Sequence, residues 1–225
     1  MPGRTINRRT ALRSFGLMSI ATIGAASAGC ADDQAVANSQ DDNLGFAGVV
    51  LGEPLDKPTL PFTDTTGEPF DFAAQTKDEL TLLFFGYTTC PDVCPVTLSI
   101  AETALKKLGG KASRTNVVFV GVDTARDTPE KMTQYLEARG AGFIGLNTQA
   151  DLSELNEALS TMLLPGVAIP APEPDGSYAV GHPSQVIVFT PDNRAHIMYQ
   201  FGVTASDWER DLPRLLTFAW PDTTR

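Results

Sequence analysis

An apolar run, Leu80-Thr81-Leu82-Leu83-Phe84-Phe85-Gly86, passes directly into Tyr87-Thr88-Thr89-Cys90-Pro91-Asp92-Val93-Cys94-Pro95, and a helical pattern follows. A buried strand that turns at once into a helix is the unit of layered α/β folds. The turn also carries chemistry. Two cysteines four apart on a helix share one face, with Cα atoms about 6 Å apart, close enough for a disulfide. The same pair can hold one soft metal ion as thiolates. A cysteine near a helix N-terminus is expected to ionise more readily than usual. Redox chemistry and metal binding are both open on this spacing. A purely stabilising disulfide is the weaker expectation, because so short a loop constrains the unfolded chain little.

The chain has three cysteines, so they form no even framework of bridges, and Cys30 needs its own explanation. Arg4, Arg8, Arg9 and Arg13 form a basic leader without acids, followed by small and apolar residues from Phe15 to Gly29. That stretch is short of the roughly 20 residues of a permanent membrane span. It ends Ala26-Ser27-Ala28-Gly29-Cys30, which resembles a lipobox whose cysteine becomes a lipidated first residue. Asn7-Arg8-Arg9-Thr10-Ala11-Leu12-Arg13 resembles a twin-arginine signal. The expectation is a signal peptide over 1–29, lipidation at Cys30, and anchorage on the outer face of the cytoplasmic membrane. An ordinary secretory signal with an incidental Cys30 is the alternative.

Residues 30–225 keep 13 basic against 27 acidic residues, a net charge of −14. That balance argues against nucleic acid as a partner and against electrostatic docking on anionic lipid. Export implies an oxidising compartment, where Cys90 and Cys94 pair unless they are reduced or occupied by metal. Residues 30–48 are acidic and poor in large apolar side chains, which predicts a flexible tether before a domain over 49–225.

Within that domain, apolar patterning predicts a hairpin over 60–70 and strands at 80–86, 116–122, 143–146, 185–190 and 195–201. Helices are expected over 95–108, from Pro129, over 151–162 and over 206–220. Thr128 is the expected N-cap before Pro129, and Gly109-Gly110 the stop of the first helix. Strands alternating with helices and ending in a hairpin predict an α/β sandwich.

Phe84-Phe85-Gly86-Tyr87-Thr88-Thr89-Cys90-Pro91-Asp92-Val93-Cys94-Pro95 resembles the signature of the Sco/SenC family, and so does Val122-Asp123-Thr124-Ala125-Arg126-Asp127-Thr128-Pro129-Glu130. His182 stands 88 residues after Cys94, about where that family has a histidine. The resemblance spans roughly residues 48–217. It implies a thioredoxin-like three-layer sandwich, a central mixed sheet with flanking helices. It further implies membrane tethering, copper held by Cys90, Cys94 and His182, and delivery to the copper-binding subunit of cytochrome c oxidase. For some members it implies reduction of thiol-disulfide partners, with Cys90 and Cys94 as a catalytic redox pair, and a redox or copper sensor would use the same residues. Two thiolates and one imidazole suit Cu(I) and tolerate Cu(II), whereas zinc usually takes a fourth ligand.

Two residues depart from the pattern that the resemblance implies. Gly181 stands where an acid commonly precedes the histidine, so a carboxylate that would orient the ring is absent. Pro183 makes Gly181-His182-Pro183 similar to the thioredoxin segment beside the cysteine pair, which favours disulfide exchange. Of the remaining candidates, His196 is expected at the surface. Asp123 is balanced between orienting the cysteine turn and serving as a turn acid. Arg126 and Asp127 are expected to shape a turn and cap, and Met162 and Met198 to fill the core. The proline-rich connection over 163–181 is expected to pack mainly through Leu163, Leu164, Val167 and Ile169, with partner docking as the alternative.

Overall fold

A computed structural model describes residues 43–140 and 142–220. Cys30, the leader and most of the expected tether lie outside the described residues. The chain runs β1 (Val49–Leu55), β2 (Phe62–Asp64), β3 (Pro69–Phe70), α1 (Phe72–Gln75), β4 (Leu80–Gly86) and α2 (Val93–Leu108). A 3₁₀ turn over Gly109–Arg114 leads to β5 (Thr115–Gly121), α3 (Pro129–Glu137), β6 (Phe143–Thr148) and α4 (Leu152–Thr161). The hairpin β7 (Val186–Phe189) and β8 (Ala195–Tyr199) precedes the last helix, α5 (Ala205–Leu215).

All strands join one mixed sheet in the order β1-β8-β7-β4-β5-β6-β2-β3. The centre is parallel, with β4 on β5 and β5 on β6, while β7 runs antiparallel to β4. Every residue of β4 is buried, which explains its near-continuous apolar sequence. With helices flanking this sheet, the architecture is the thioredoxin-like sandwich expected. Gly86 and Gly121 are register partners on one face, where added Cβ atoms would meet Cys94 of α2 and Met132 of α3. The C-terminal ends of β4 and β5, where ligand sites gather in α/β sheets, therefore lie beneath the first turns of these helices.

Local capping matches the sequence. Thr128 accepts from the Lys131 N–H, and Asp151 with Glu154, and Thr204 with Asp207, close reciprocal capping boxes. Four features differ from expectation. α2 begins at Val93 rather than Pro95, so Cys94 is helical and Cys90 is not. The two cysteines therefore do not share a helical face; the turn before the helix brings them together. β1 is an edge strand paired with β8 that the half-polar sequence Val-Val-Leu-Gly-Glu-Pro-Leu conceals. α5 stops at Leu215, beyond the internal Pro213 that withholds a backbone donor. Finally, Phe46 and Ala47 pack onto the domain although they fall in the stretch expected as tether. Phe46 is 4 % exposed, the Ala47 N–H donates to Asp211 at 2.7 Å, and Arg214 donates to the Leu44 and Gly45 carbonyls.

Candidate metal centre

β4 ends in Phe85-Gly86, and the glycine is a packing requirement. A Cβ at Gly86 would lie 2.6 Å from Cys94 Sγ and 2.7 Å from the Phe119 ring. The space that the missing side chain leaves is filled by the sulfur. Beyond Gly86 the chain turns, with the Cys90 N–H donating to the Tyr87 carbonyl at 3.1 Å. Asp127 fixes this turn from the next loop: its Oδ1 accepts from the Thr88 N–H at 2.8 Å and the Thr88 hydroxyl at 2.7 Å. Its Oδ2 accepts from the Asp123 N–H at 3.2 Å. Asp127 is buried, and desolvation pushes its carboxyl above the usual range despite these donors.

Cys94 sits fully buried in the first turn of α2, whereas Cys90 retains 9 % exposure. Burial pushes the Cys94 thiol well above the usual thiol range, against the expectation that the helix N-terminus lowers it. In this site desolvation outweighs the helix dipole, whose effect is modest.

His182 completes the cluster. Its Nε2 lies 3.6 Å from Cys90 Sγ and 3.7 Å from Cys94 Sγ, and all three ligand atoms fall within 4.8 Å of one another. Nδ1 lies 3.0 Å from the Phe85 carbonyl oxygen and 2.8 Å from that of Pro183. Carbonyl oxygens only accept, so Nδ1 carries the proton and donates, leaving the Nε2 lone pair toward the sulfurs. The backbone thus supplies the orienting acceptor that glycine at 181 cannot. The imidazole is wedged edge-on against Tyr87, with centroids 5.3 Å apart, and Phe84, at 6.1 Å.

The spacing fits one ion. A trigonal first-row ion about 2.3 Å from sulfur and about 2.0 Å from nitrogen sets sulfur and nitrogen roughly 3.7 Å apart. The observed sulfur–nitrogen separations of 3.6 and 3.7 Å match that distance, and the three donor atoms lie within 4.8 Å of one another. Both cysteines are free thiols.

The other candidates divide. Asp123 is buried, pairs with Arg126 and accepts from the Tyr178 hydroxyl at 2.9 Å. It thus fastens the 163–181 connection, while Asp127 does the work on the cysteine turn. Met162 and Met198 fill the core. Leu164 and Val167 pack inward, but Leu163 and Ile169 are exposed. His196 is not a surface residue: it is buried, bonded to Asp192 at 2.6 Å and stacked on Trp220 with centroids 4.3 Å apart. The hairpin turn and the segment after α5 close over it, a long-range contact with no local sequence signal. Sequence reasoning did not identify the Phe85 carbonyl, Tyr87 or Tyr178 as parts of this centre; a backbone acceptor leaves no residue-type signature.

Comparison with known proteins agrees with the geometry. Residues 57–217 match the SCO1/SenC family model. A Stutzerimonas stutzeri protein with a copper-binding name is 36% identical over 163 residues, 71% of this chain and 76% of that one. The structure of Bradyrhizobium japonicum ScoI with copper bound is 31% identical, with a TM-score of 0.60 over 72% of this chain and 99% of that one. Apo Sco1 from Thermus thermophilus is 30% identical, with a TM-score of 0.61 over 77% and 97% of the two chains.

Proposed function

From the chain's membership of the SCO1/SenC family, we propose that it is a copper metallochaperone whose cargo ion is held by Cys90, Cys94 and His182. The observation that carries this is the convergence of two sulfurs and one correctly oriented imidazole nitrogen within 4.8 Å of one another. Two soft sulfurs with one nitrogen favour Cu(I). A three-donor set open to a fourth ligand suits a carrier, because an incoming donor from an acceptor can enter before the old bonds break. Tyr87, Thr88 and Asp127 hold the cysteine turn, and Phe85 and Pro183 aim the imidazole, so the donors are brought close together before an ion binds.

The acceptor in this reading is the copper-binding subunit of cytochrome c oxidase. The chain would act from the outer face of the cytoplasmic membrane through acyl chains on Cys30. Among the described residues no helix is long and apolar enough to cross a membrane. The lipobox-like sequence at Cys30 supports the anchor, and Cys30→Ser should release the protein from membranes with its fold intact.

Copper stoichiometry of the reduced protein, wild type beside His182→Ala, tests the central claim. One ion per chain, bound tenfold or more weakly by the variant, is expected. Copper binding unaltered by His182→Ala refutes the three-ligand site. Rapid reduction of a partner disulfide by a protein that binds no copper points to a thiol-disulfide reductase working through Cys90 and Cys94.

A further inference from the structure

His182 stands at the end of a long connection, and most of that connection is not attached to the body. Residues 168–177 are exposed, and the bonds Glu173 and Asp175 make with Ser177 are internal to their own turn. Asn156 brackets Val167 at the start, and the paired backbones of Ala168 and Gly181 tie the connection to itself. The return to the body begins at Tyr178, four residues before His182, and continues with the buried Val180.

Three contacts converge there. The Tyr178 hydroxyl donates to Asp123 Oδ1 at 2.9 Å, Arg126 Nη1 donates to the Tyr178 carbonyl at 3.1 Å, and the guanidinium lies 3.5 Å over the Tyr178 ring. Arg126 Nε is paired with Asp123, which is buried at the end of β5. The same guanidinium also lies 5.7 Å from the Tyr87 ring, and Tyr87 is the residue edge-packed on His182. Arg126 therefore approaches both the tyrosine of the histidine-bearing connection and the tyrosine of the cysteine-bearing turn. Its Nη2 is buried without a partner among the described residues. A guanidinium atom left unbonded is a cost that the stacking position must offset.

We propose that Arg126 is a positioning residue which, with Asp123 and Tyr178, clasps the 163–181 connection to the end of β5 and thereby sets His182 over Cys90 and Cys94. The inference rests on the copper reading for its consequence but not for its geometry. A closed clasp presents the imidazole. An open one leaves His182 held by its own contacts and by the buried Val180 alone, so the clasp sets how firmly the third ligand is kept.

The test uses the full reduced chain and two readouts. In the copper-free protein, the His182 Nδ1–H resonance reports whether the ring is held on Phe85; Arg126→Ala should broaden it beyond detection while Arg126→Lys restores it at most in part. In copper competition, Arg126→Ala should weaken binding by about 10–100-fold, and should add nothing in a His182→Ala background. Tyr178→Phe removes one hydroxyl, retains the fold more safely, and should also broaden the His182 signal. An unchanged His182 resonance in Arg126→Ala and Tyr178→Phe overturns the proposal. So does a copper loss that persists undiminished in the His182→Ala background, since it would then act elsewhere. Failure of the wild type to bind copper refutes the chaperone reading while the proton resonance still decides the clasp.

Discussion

The carbonyl oxygen of Phe85 lies 3.0 Å from His182 Nδ1, so the strand that leads into the cysteine turn also fixes the ring opposite it. A histidine ligand generally donates its second nitrogen to an acceptor, and here that acceptor belongs to a strand buried along its whole length. This makes the missing acid at position 181 unnecessary for orientation. Gly181→Asp is sterically open, since a Cβ there meets nothing closer than Ala168 at 3.5 Å. It should alter copper affinity by less than about tenfold, the lower end of the cost of losing an orienting partner. A competition titration with a Cu(I) chelator checks this, with His182→Ala as the weak-binding reference. A Gly181→Asp gain well beyond tenfold would mean that the backbone acceptors leave the ring poorly held.

The cysteines should differ in reactivity. Cys90 is 9 % exposed, and Cys94 is enclosed with its thiol held protonated by burial. Alkylation of the reduced protein at neutral pH should therefore modify Cys90 well before Cys94, because the thiolate is the nucleophile. Peptide mapping over a time course reads this directly, and equal rates would contradict the packing of Cys94. Oxidation should join the two sulfurs, with the loss of two protons and two electrons to the oxidant, and abolish copper binding.

Gly86→Ala should disturb the centre without touching a ligand. The new methyl would overlap the Cys94 sulfur and the Phe119 ring, both held in a close-packed core. Overpacking of this kind costs about 1–3 kcal/mol. Urea unfolding should show that loss, and copper affinity should fall because the sulfur must move. A variant as stable as wild type would show that Phe119 and Cys94 yield more readily than a packed core allows.

The sheet and the centre were legible in the sequence to different depths. β4 declared itself because burial on both faces demands a near-continuous apolar run, and the cap at Thr128 because it acts within one turn. β1 was not legible: an edge strand with one solvated side needs no strong pattern, and its partner β8 lies about 140 residues away. The cysteine spacing pointed to the right pair for a reason that needs correcting, since only Cys94 is helical. His182 emerged from the family resemblance rather than from local pattern. The contacts that aim it, the Phe85 carbonyl and the Asp123–Arg126–Tyr178 clasp, join segments that the fold alone brings together. His196 shows the same limit, because its burial depends on Trp220 closing over it.

Asp127 gives a prediction with a pH signature. Its carboxylate accepts three donors, from the Thr88 N–H, the Thr88 hydroxyl and the Asp123 N–H. In Asp127→Asn the amide oxygen can keep the Thr88 pair, but the amide nitrogen then faces the Asp123 N–H, donor against donor. One buried donor is left unsatisfied, which costs about 1–3 kcal/mol. Burial holds the Asp127 carboxyl above its ordinary value, with the Asp123 charge adding to the shift and the hydrogen bonds opposing it. The folded protein therefore binds this proton more tightly than the unfolded chain. Between the unfolded value, near 3.9, and the raised folded value, the native state carries the extra proton, so this group's contribution to stability falls as pH rises. Asparagine has no such titration. The stability of wild type relative to Asp127→Asn should thus be greatest at acid pH and fall as pH rises from the unfolded value through the raised folded one. Shared carboxylates such as Asp64, Asp192 and Asp207, whose values are lowered, act on both proteins alike and cancel in the difference. Urea midpoints for the two proteins across this range measure the difference. A difference that grows in favour of wild type with rising pH would mean that Asp127 is stabilised as an anion by its donors more than it is penalised by burial.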